Sequence, residues 1–298
     1  MQMRINRLVS TRRQVLFMAM TLVASVAAMS VASPAFATPK GAFEVFKECP
    51  VENTELEFCL HATTETGHFT IGKKTVPIKN PVTLQGGIVE PVENYQLFVG
   101  AKTESNTLSK TAQPVPGGLL GIVAPEFLNK EQKEKFEEAI NKGPTGVNAT
   151  VELAAPASDI KISEPLMELE EGTGLELPVK VHLENTLFLG SKCYIGSNTS
   201  PIYIPLTTGT SGTLKGKFGT AYFTEKGEIL NVIDNSLVNQ TFAAPGANGC
   251  GLAGGIVEKV VDEAVNAELG IPSGSGTNSA VLEGTILQAG ATAVRRSE

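Results

Sequence analysis

Between Leu175 and Leu183 the side chains alternate. Leu175, Leu177, Val179, Val181 and Leu183 fall on one side, Glu176, Lys180 and His182 on the other. A period of two puts one set on a buried sheet face and the other in solvent. The pattern recurs where Leu56, Phe58, Leu60 and Ala62 alternate with Glu57, Cys59, His61 and Thr63. It recurs again where Val147, Ala149, Val151 and Leu153 alternate with Asn148, Thr150 and Glu152. Runs over 68–72, 75–79, 94–99, 158–163, 201–205, 217–223, 228–233, 237–243 and 279–288 also read as strands. Turn residues separate them, among them Thr66-Gly67, Asn80-Pro81, Gly86-Gly87, Gly172, Gly174, Gly209 and Gly212. Many short strands so punctuated predict a mainly β fold, an antiparallel sandwich or barrel-like sheet. Pro178 sits on the outward face of its strand, and its missing N–H points to an edge strand or a bulge.

Two short helices interrupt the strands. Asn129 can cap the first, with Gln132 as its capping-box partner, and Gly143-Pro144 ends it after about Lys142. Its apolar face is thin, mainly Phe136 and Ile140, so a surface position follows. The second spans about 255–269, with Ile256, Val260 and Ala264 beside Val257, Val261 and Val265, and Gly270-Ile271-Pro272 ends it. That broad stripe must dock on a sheet. The Pro- and Gly-containing stretch 106–124 is a candidate boundary between two domains, or a buried loop within one. The Gly- and Thr-rich connection from Thr207 to Gly216 reads as mobile.

The N-terminus reads as an export signal. Arg4, Arg7, Arg12 and Arg13 precede an apolar run that ends at Ser33-Pro34-Ala35-Phe36-Ala37. The small residues Ala35 and Ala37 fit a signal-peptidase site, which predicts cleavage between Ala37 and Thr38 and a working chain of 38–298. Arg12-Arg13 also resembles the twin-arginine signal, so the export route stays open. The signal contains no acid, which leaves 20 basic residues against 31 acidic ones, a net charge of −11. Such a surface repels phosphates, and no basic patch with interleaved aromatics exists, so nucleic acid is excluded as a partner. No second apolar run reaches spanning length, so no integral membrane segment is expected after cleavage. Trp is absent and Tyr is rare, which disfavours sugar-stacking sites. Only Asp159, Asp234 and Asp262 are Asp, and no D-x-D-x-D loop for calcium occurs.

The four cysteines are Cys49, Cys59, Cys193 and Cys250. An even count in an exported chain predicts two disulfides, with three connectivities open. Sequence order favours Cys49–Cys59 and Cys193–Cys250, and a crossed pairing from Cys49 is the alternative. No pair has the C-x-x-C spacing of a metal site.

Signatures of chemistry are few. H-E-x-x-H, G-x-S-x-G and G-x-x-x-x-G-K-[ST] are all absent. Gly251, Gly254 and Gly255 open the second helix without forming a dinucleotide fingerprint. If 56–63 and 68–72 form a hairpin, His61, Glu65 and His68 face one side and can hold a metal; solvated hairpin residues are the simpler reading. His182 is the third histidine. Glu164, Glu168, Glu170, Glu171 and Glu176 can offer an acid/base carboxylate pair, with a solvated surface as the simpler reading. Asn148, Asn198 and Asn239 are glycosylation sequons. No catalytic residue, metal ligand or cofactor is assigned.

Several runs resemble a group of exported proteins from high-GC Gram-positive bacteria: Pro178-Val179-Lys180-Val181-His182-Leu183-Glu184-Asn185, Cys193-Tyr194-Ile195-Gly196-Ser197, Gly249-Cys250-Gly251 and Ala264-Val265-Asn266. The resemblance covers most of the chain after the signal. It implies secretion and a Cys193–Cys250 disulfide, and it transfers no activity or functional residue. The sequence thus supports a secreted or envelope-associated, non-catalytic protein that binds a partner protein or cell-envelope component. The alternative is an exported hydrolase whose site is assembled from distant residues. A β-barrel pore is a weaker third reading, because the strands are short and interrupted by glycine.

Overall fold

The computed structural model describes residues 38–92, 95–185, 187–224, 226–251 and 256–298. The export segment 1–37 and Gly254 and Gly255 lie outside them. The first strands are β1 (Leu56–Ile71), β2 (Lys74–Pro77), β3 (Val82–Val92), β4 (Tyr95–Gly100) and β5 (Gln113–Pro114). Next come β6 (Asn148–Leu153), β7 (Lys161–Ile162), β8 (Leu175–Glu184), β9 (Tyr194–Ile195) and β10 (Ile202–Leu206). The last are β11 (Thr210–Ser211), β12 (Leu214–Lys215), β13 (Thr220–Phe223), β14 (Ile229–Asn239), β15 (Ala247–Asn248) and β16 (Ser279–Gly290). The helices are α1 (Lys130–Lys142), α2 (Glu164–Glu168), α3 (Ile256–Leu269) and α4 (Ala291–Arg296).

Fourteen strands form one antiparallel sheet, whose main path is β13-β14-β16-β1-β3-β4-β7-β8-β6-β5. Among the described strands, the two-residue β7 is the one that pairs with both the β1 half and the β8 half. At that narrow point the sheet folds over, so the apolar faces of β8 and β10 lie against those of β1, β3, β14 and β16 in one core. The fold is mainly β, as the alternation predicts. The sheet does not close into a barrel. Its nearest approach to closure is a single antiparallel bridge from Thr207 to Val238, where each backbone N–H meets the other's carbonyl.

Two expected strand pairs turn out to be single strands. Runs 56–63 and 68–72 both fall on β1, which ends at Ile71, and 228–233 and 237–243 both fall on β14, which ends at Asn239. Each contains a β-bulge, between Thr64 and Thr66 in β1 and between Val232 and Asn235 in β14. The extra residue reverses which parity faces inward. Ala62 and Thr64 point in before the β1 bulge, and Phe69 and Ile71 after it. In sequence such a phase break resembles a turn. Both bulges flank the same residue of β16, because Thr64 and Asn235 are each paired with Gly284. A Cβ on Gly284 would stand 1.9 Å from the Thr63 carbonyl oxygen. The crease therefore requires glycine there.

Gly86-Gly87 is likewise not a turn but the middle of β3. A Cβ on Gly87 would fall 2.6 Å from the Leu56 side chain. Pro178 does not mark an edge, since β8 pairs with β10 and β9 on one side and with β6 and β7 on the other. Its missing N–H falls at a gap: β6 pairing stops at Val179, β7 pairing starts at Glu176, and the Pro178 carbonyl accepts from Ala154 N. Over 158–163 a short helical turn, Ala157–Asp159, precedes the two residues of β7.

Helix α1 has the expected capping box between Asn129 and Gln132, and none of its residues is buried. The α3 stripe docks through Val261, Val265 and Leu269. Helices α2 and α4 were not legible as helices. The described residues fall in one compact unit, and the 106–124 stretch contributes Leu108 and Val115 to the main core while Leu120, Ile122 and Val123 are exposed. Disulfides join Cys49 to Cys59 and Cys193 to Cys250. The first is part of a smaller core on the outer face of β1, built from Phe46, Val51, Ile229, Ala289, Ala291 and Val294. The second is tied to α3, since Cys250 N donates to Asp262 Oδ1 at 2.8 Å. No helix among the described residues is long and apolar enough to cross a membrane.

Candidate functional site

The fold-over leaves space inside the main core. A cavity of about 130 Å³ lies between β8 and the facing strands. Leu177, Val179, Val181, Ile204, Leu237 and Leu282 are among its walls. The polar residues lining it are Thr64, Lys74, Ser109, Thr111 and Gln113. A second space of about 70 Å³ adjoins it at the crease, where Thr64, Gly284 and Asn235 all line the wall. Its end is polar, formed by Glu164 and Glu168 of α2 and Gln288 of β16.

Local chemistry explains why α2 presents these groups. The Ser163 side chain caps it, accepting from Leu166 N, and Pro165 fits its first turn. Met167 is buried beneath the helix and anchors it. Glu164 and Glu168, four residues apart, then share a face. Gln288 is only 8 % exposed, and its Nε2 donates to Glu164 Oε1 at 2.6 Å. Gln96 braces the helix from the other side, its Oε1 accepting from Glu164 N at 3.3 Å. Burial raises the Glu164 carboxyl above its ordinary value, hydrogen bonds from Gln96 and Gln288 oppose the rise, and the Glu168 charge adds to it.

The structure divides the glutamate cluster. Glu164 and Glu168 come together at the cavity end. Glu170 accepts from Phe218 N at 3.0 Å, and Glu176 is paired with Lys161 at 2.6 Å. Glu171 is exposed. The expectation of a solvated surface strand therefore fails for Glu164, which is half-buried on a helix.

The histidines do not converge. Because 56–71 is one strand, His61 and His68 are about 20 Å apart. The hairpin that would have joined them does not exist. Both face away from the cavity, because their neighbours Leu60, Ala62 and Phe69 face the core. Burial lowers the His61 imidazole below its ordinary value. No group of three His, Cys, Asp or Glu among the described residues is placed to hold a metal.

His182 lies on the outer face of β8, stacked on Tyr194 with ring centroids 4.4 Å apart. Lys180 Nζ stands 4.8 Å from the same ring. Glu152 lies 3.9 Å from His182 Nδ1 and 3.8 Å from Lys180 Nζ. These separations exceed a hydrogen bond, so the cluster is not an oriented acid/base dyad. Burial raises the Tyr194 phenol, with Glu152 and Glu184 adding to it. Of the sequons, Asn148 and Asn198 are exposed, whereas Asn239 is buried and donates to the Pro205 carbonyl at 2.6 Å.

Sequence reasoning missed Gln288 and Gln96. The available signal was a lone amide on an apolar strand face: Ala280, Leu282, Ile286 and Gln288 share one parity of β16, as do Gln96 and Phe98 of β4. The chain matches no family model, no curated protein and no solved structure in three comparisons with known proteins.

Proposed function

We propose that this chain is an exported, non-catalytic binding protein whose interior takes up an apolar small molecule of the cell envelope. The observation that carries the reading is the cavity itself. Protein interiors normally close to crystal-like density. Here facing aliphatic walls leave about 130 Å³ open. Pockets of aliphatic lining with a few convergent polar groups are the usual form of a small-molecule site. An apolar space of similar size, about 150 Å³, stays dry and binds benzene.

Export is supported by the N-terminal signal pattern, by the resemblance to secreted proteins of high-GC Gram-positive bacteria, and by two disulfides, which suit an oxidising compartment. Exposed Leu120, Ile122, Val123 and Phe127, near one another in sequence, offer apolar contact to an envelope surface. The hydrolase alternative rests on the Glu152–His182–Tyr194 cluster, which lies on the other side of the sheet from the cavity.

Methyl NMR of oxidised 38–298 titrated with benzene and with decane tests the reading. Saturable shifts are expected at Leu177, Val179 and Leu282, with exposed Leu169 unmoved. No saturable shift at the interior methyls overturns it. Ester hydrolysis that His182→Ala abolishes would favour the hydrolase.

A further inference from the structure

The two spaces abut at a waist whose residues, Ala62, Thr64, Leu84, Leu175, Leu237 and Leu282, line both. They differ in how their far ends are closed. At the larger space the polar groups are engaged in holding the 111–116 segment. Lys74 Nζ donates to the Pro116 carbonyl at 3.2 Å. The Gln113 side chain accepts from Lys79 N at 2.9 Å and Asn80 N at 3.0 Å, and donates to the Asn80 carbonyl at 2.7 Å.

The smaller space ends differently. An ionised carboxylate has about four acceptor positions. The Glu164 carboxylate accepts from Gln288 Nε2, while Gln96 Oε1 accepts from the Glu164 backbone N–H, which leaves the carboxylate able to accept from a ligand. Glu168 adds a second negative charge, and no Lys or Arg is among the described residues lining this end. The volumes suit one chain or one ring, not a two-chain lipid.

We propose that the interior holds one single-chain amphiphile, its tail in the larger space and a hydrogen-donating, non-anionic head group, hydroxyl or ammonium, on Glu164 and Gln288. The proposal rests on the binding reading above and adds the chemical class of the ligand. An anionic head would sit against two carboxyls with no cation to offset it, a like-charge contact that costs affinity.

Calorimetry of oxidised 38–298 with decanol, decylamine and decanoate at neutral pH tests it. Decanol and decylamine are expected to bind, and decanoate about tenfold or more weaker. Glu164→Gln is expected to narrow the gap between decanoate and decanol to about threefold while keeping decanol binding. Decanoate binding wild type as tightly as decanol overturns the head-group assignment, even where benzene and decane still enter the cavity. Absence of all three together with absence of the benzene shifts overturns the binding reading as well. Ala62→Leu fills the waist and is expected to weaken all three ligands about tenfold. Ala149→Val, in the wall of the larger space, serves as a second block, with circular dichroism checking that each variant folds. Undiminished decanol affinity in both folded variants puts the chain outside the interior and overturns the proposal.

Discussion

Two titratable residues carry opposite pH signatures. Glu164 has a raised carboxyl value, so the native state holds its proton more tightly than the unfolded chain does. Its ionisation therefore removes stability as pH rises through the folded value, and acidification toward the ordinary carboxylate range restores it. His61 has a lowered imidazole value, so the unfolded chain binds the proton first. Stability is lost as pH falls from the ordinary imidazole range through the lowered folded value. Urea midpoints across pH should show both effects. Glu164→Gln is expected to raise the midpoint at neutral pH and to flatten the rise at low pH. His61→Gln is expected to flatten the decline that begins in the imidazole range. A neutral-pH midpoint lowered by Glu164→Gln would mean that the carboxylate itself holds α2, contrary to the burial argument.

At the scale of elements, the sequence shows side-chain parity more plainly than strand number. The alternation in β8 and β6 gave their inward faces, because one face of each meets the core. In sequence the bulges in β1 and β14 look like strand ends, because an inserted residue and a turn break the alternation alike. Gly86-Gly87 looked like a turn for a related reason: glycine serves close packing as well as reversal. Part of the candidate site is legible in sequence, since Glu164 and Glu168 belong to the cluster of five glutamates over 164–176, but nothing local separates them from Glu170, Glu171 and Glu176. What brings them to the cavity is the fold-over at β7 and the pairing of β16, both long-range. Gly284 gives the test at this scale. Gly284→Ala drives a methyl into the Thr63 backbone, which cannot turn aside as a side chain would, and is expected to cost about 3 kcal/mol. Gly290→Ala, with nothing within 4 Å of an added Cβ, is the control. Asn129→Ala should cost about 1 kcal/mol in α1 alone. Hydrogen exchange would then rise in 130–142 with the global midpoint unchanged, because α1 buries no residue.

The described residues form two apolar cores on opposite faces of one sheet, and they serve different ends. The large one encloses the cavity. The small one joins the two ends of the described chain. Val294 is fully buried beside the Cys49–Cys59 disulfide, and Arg295 donates to the carbonyls of Val51 at 2.6 Å and Asn53 at 2.7 Å. Lys40 also donates to the Glu298 backbone. Val294→Ala opens this core at a cost of roughly 2 kcal/mol. Removing the Cys49–Cys59 loop closure costs about 3 kcal/mol, against about 4 kcal/mol for Cys193–Cys250. The locations of these losses should differ, because the two cores lie on opposite faces of the sheet and strain passes between them through the strands they share, β1, β3, β4, β14 and β16. Val294→Ala and Cys49→Ala/Cys59→Ala are expected to speed exchange over 41–53 and 291–296 and to leave cavity affinity within about twofold, since well-separated sites act nearly independently. Cys193→Ala/Cys250→Ala removes a bond between the β8–β9 region and the segment leading into α3, whose Leu269 lines the cavity, so it should weaken binding as well. Equal loss of protection in β8 for both disulfide variants would mean that the cores unfold as one unit, and that the small core is part of what holds the cavity open.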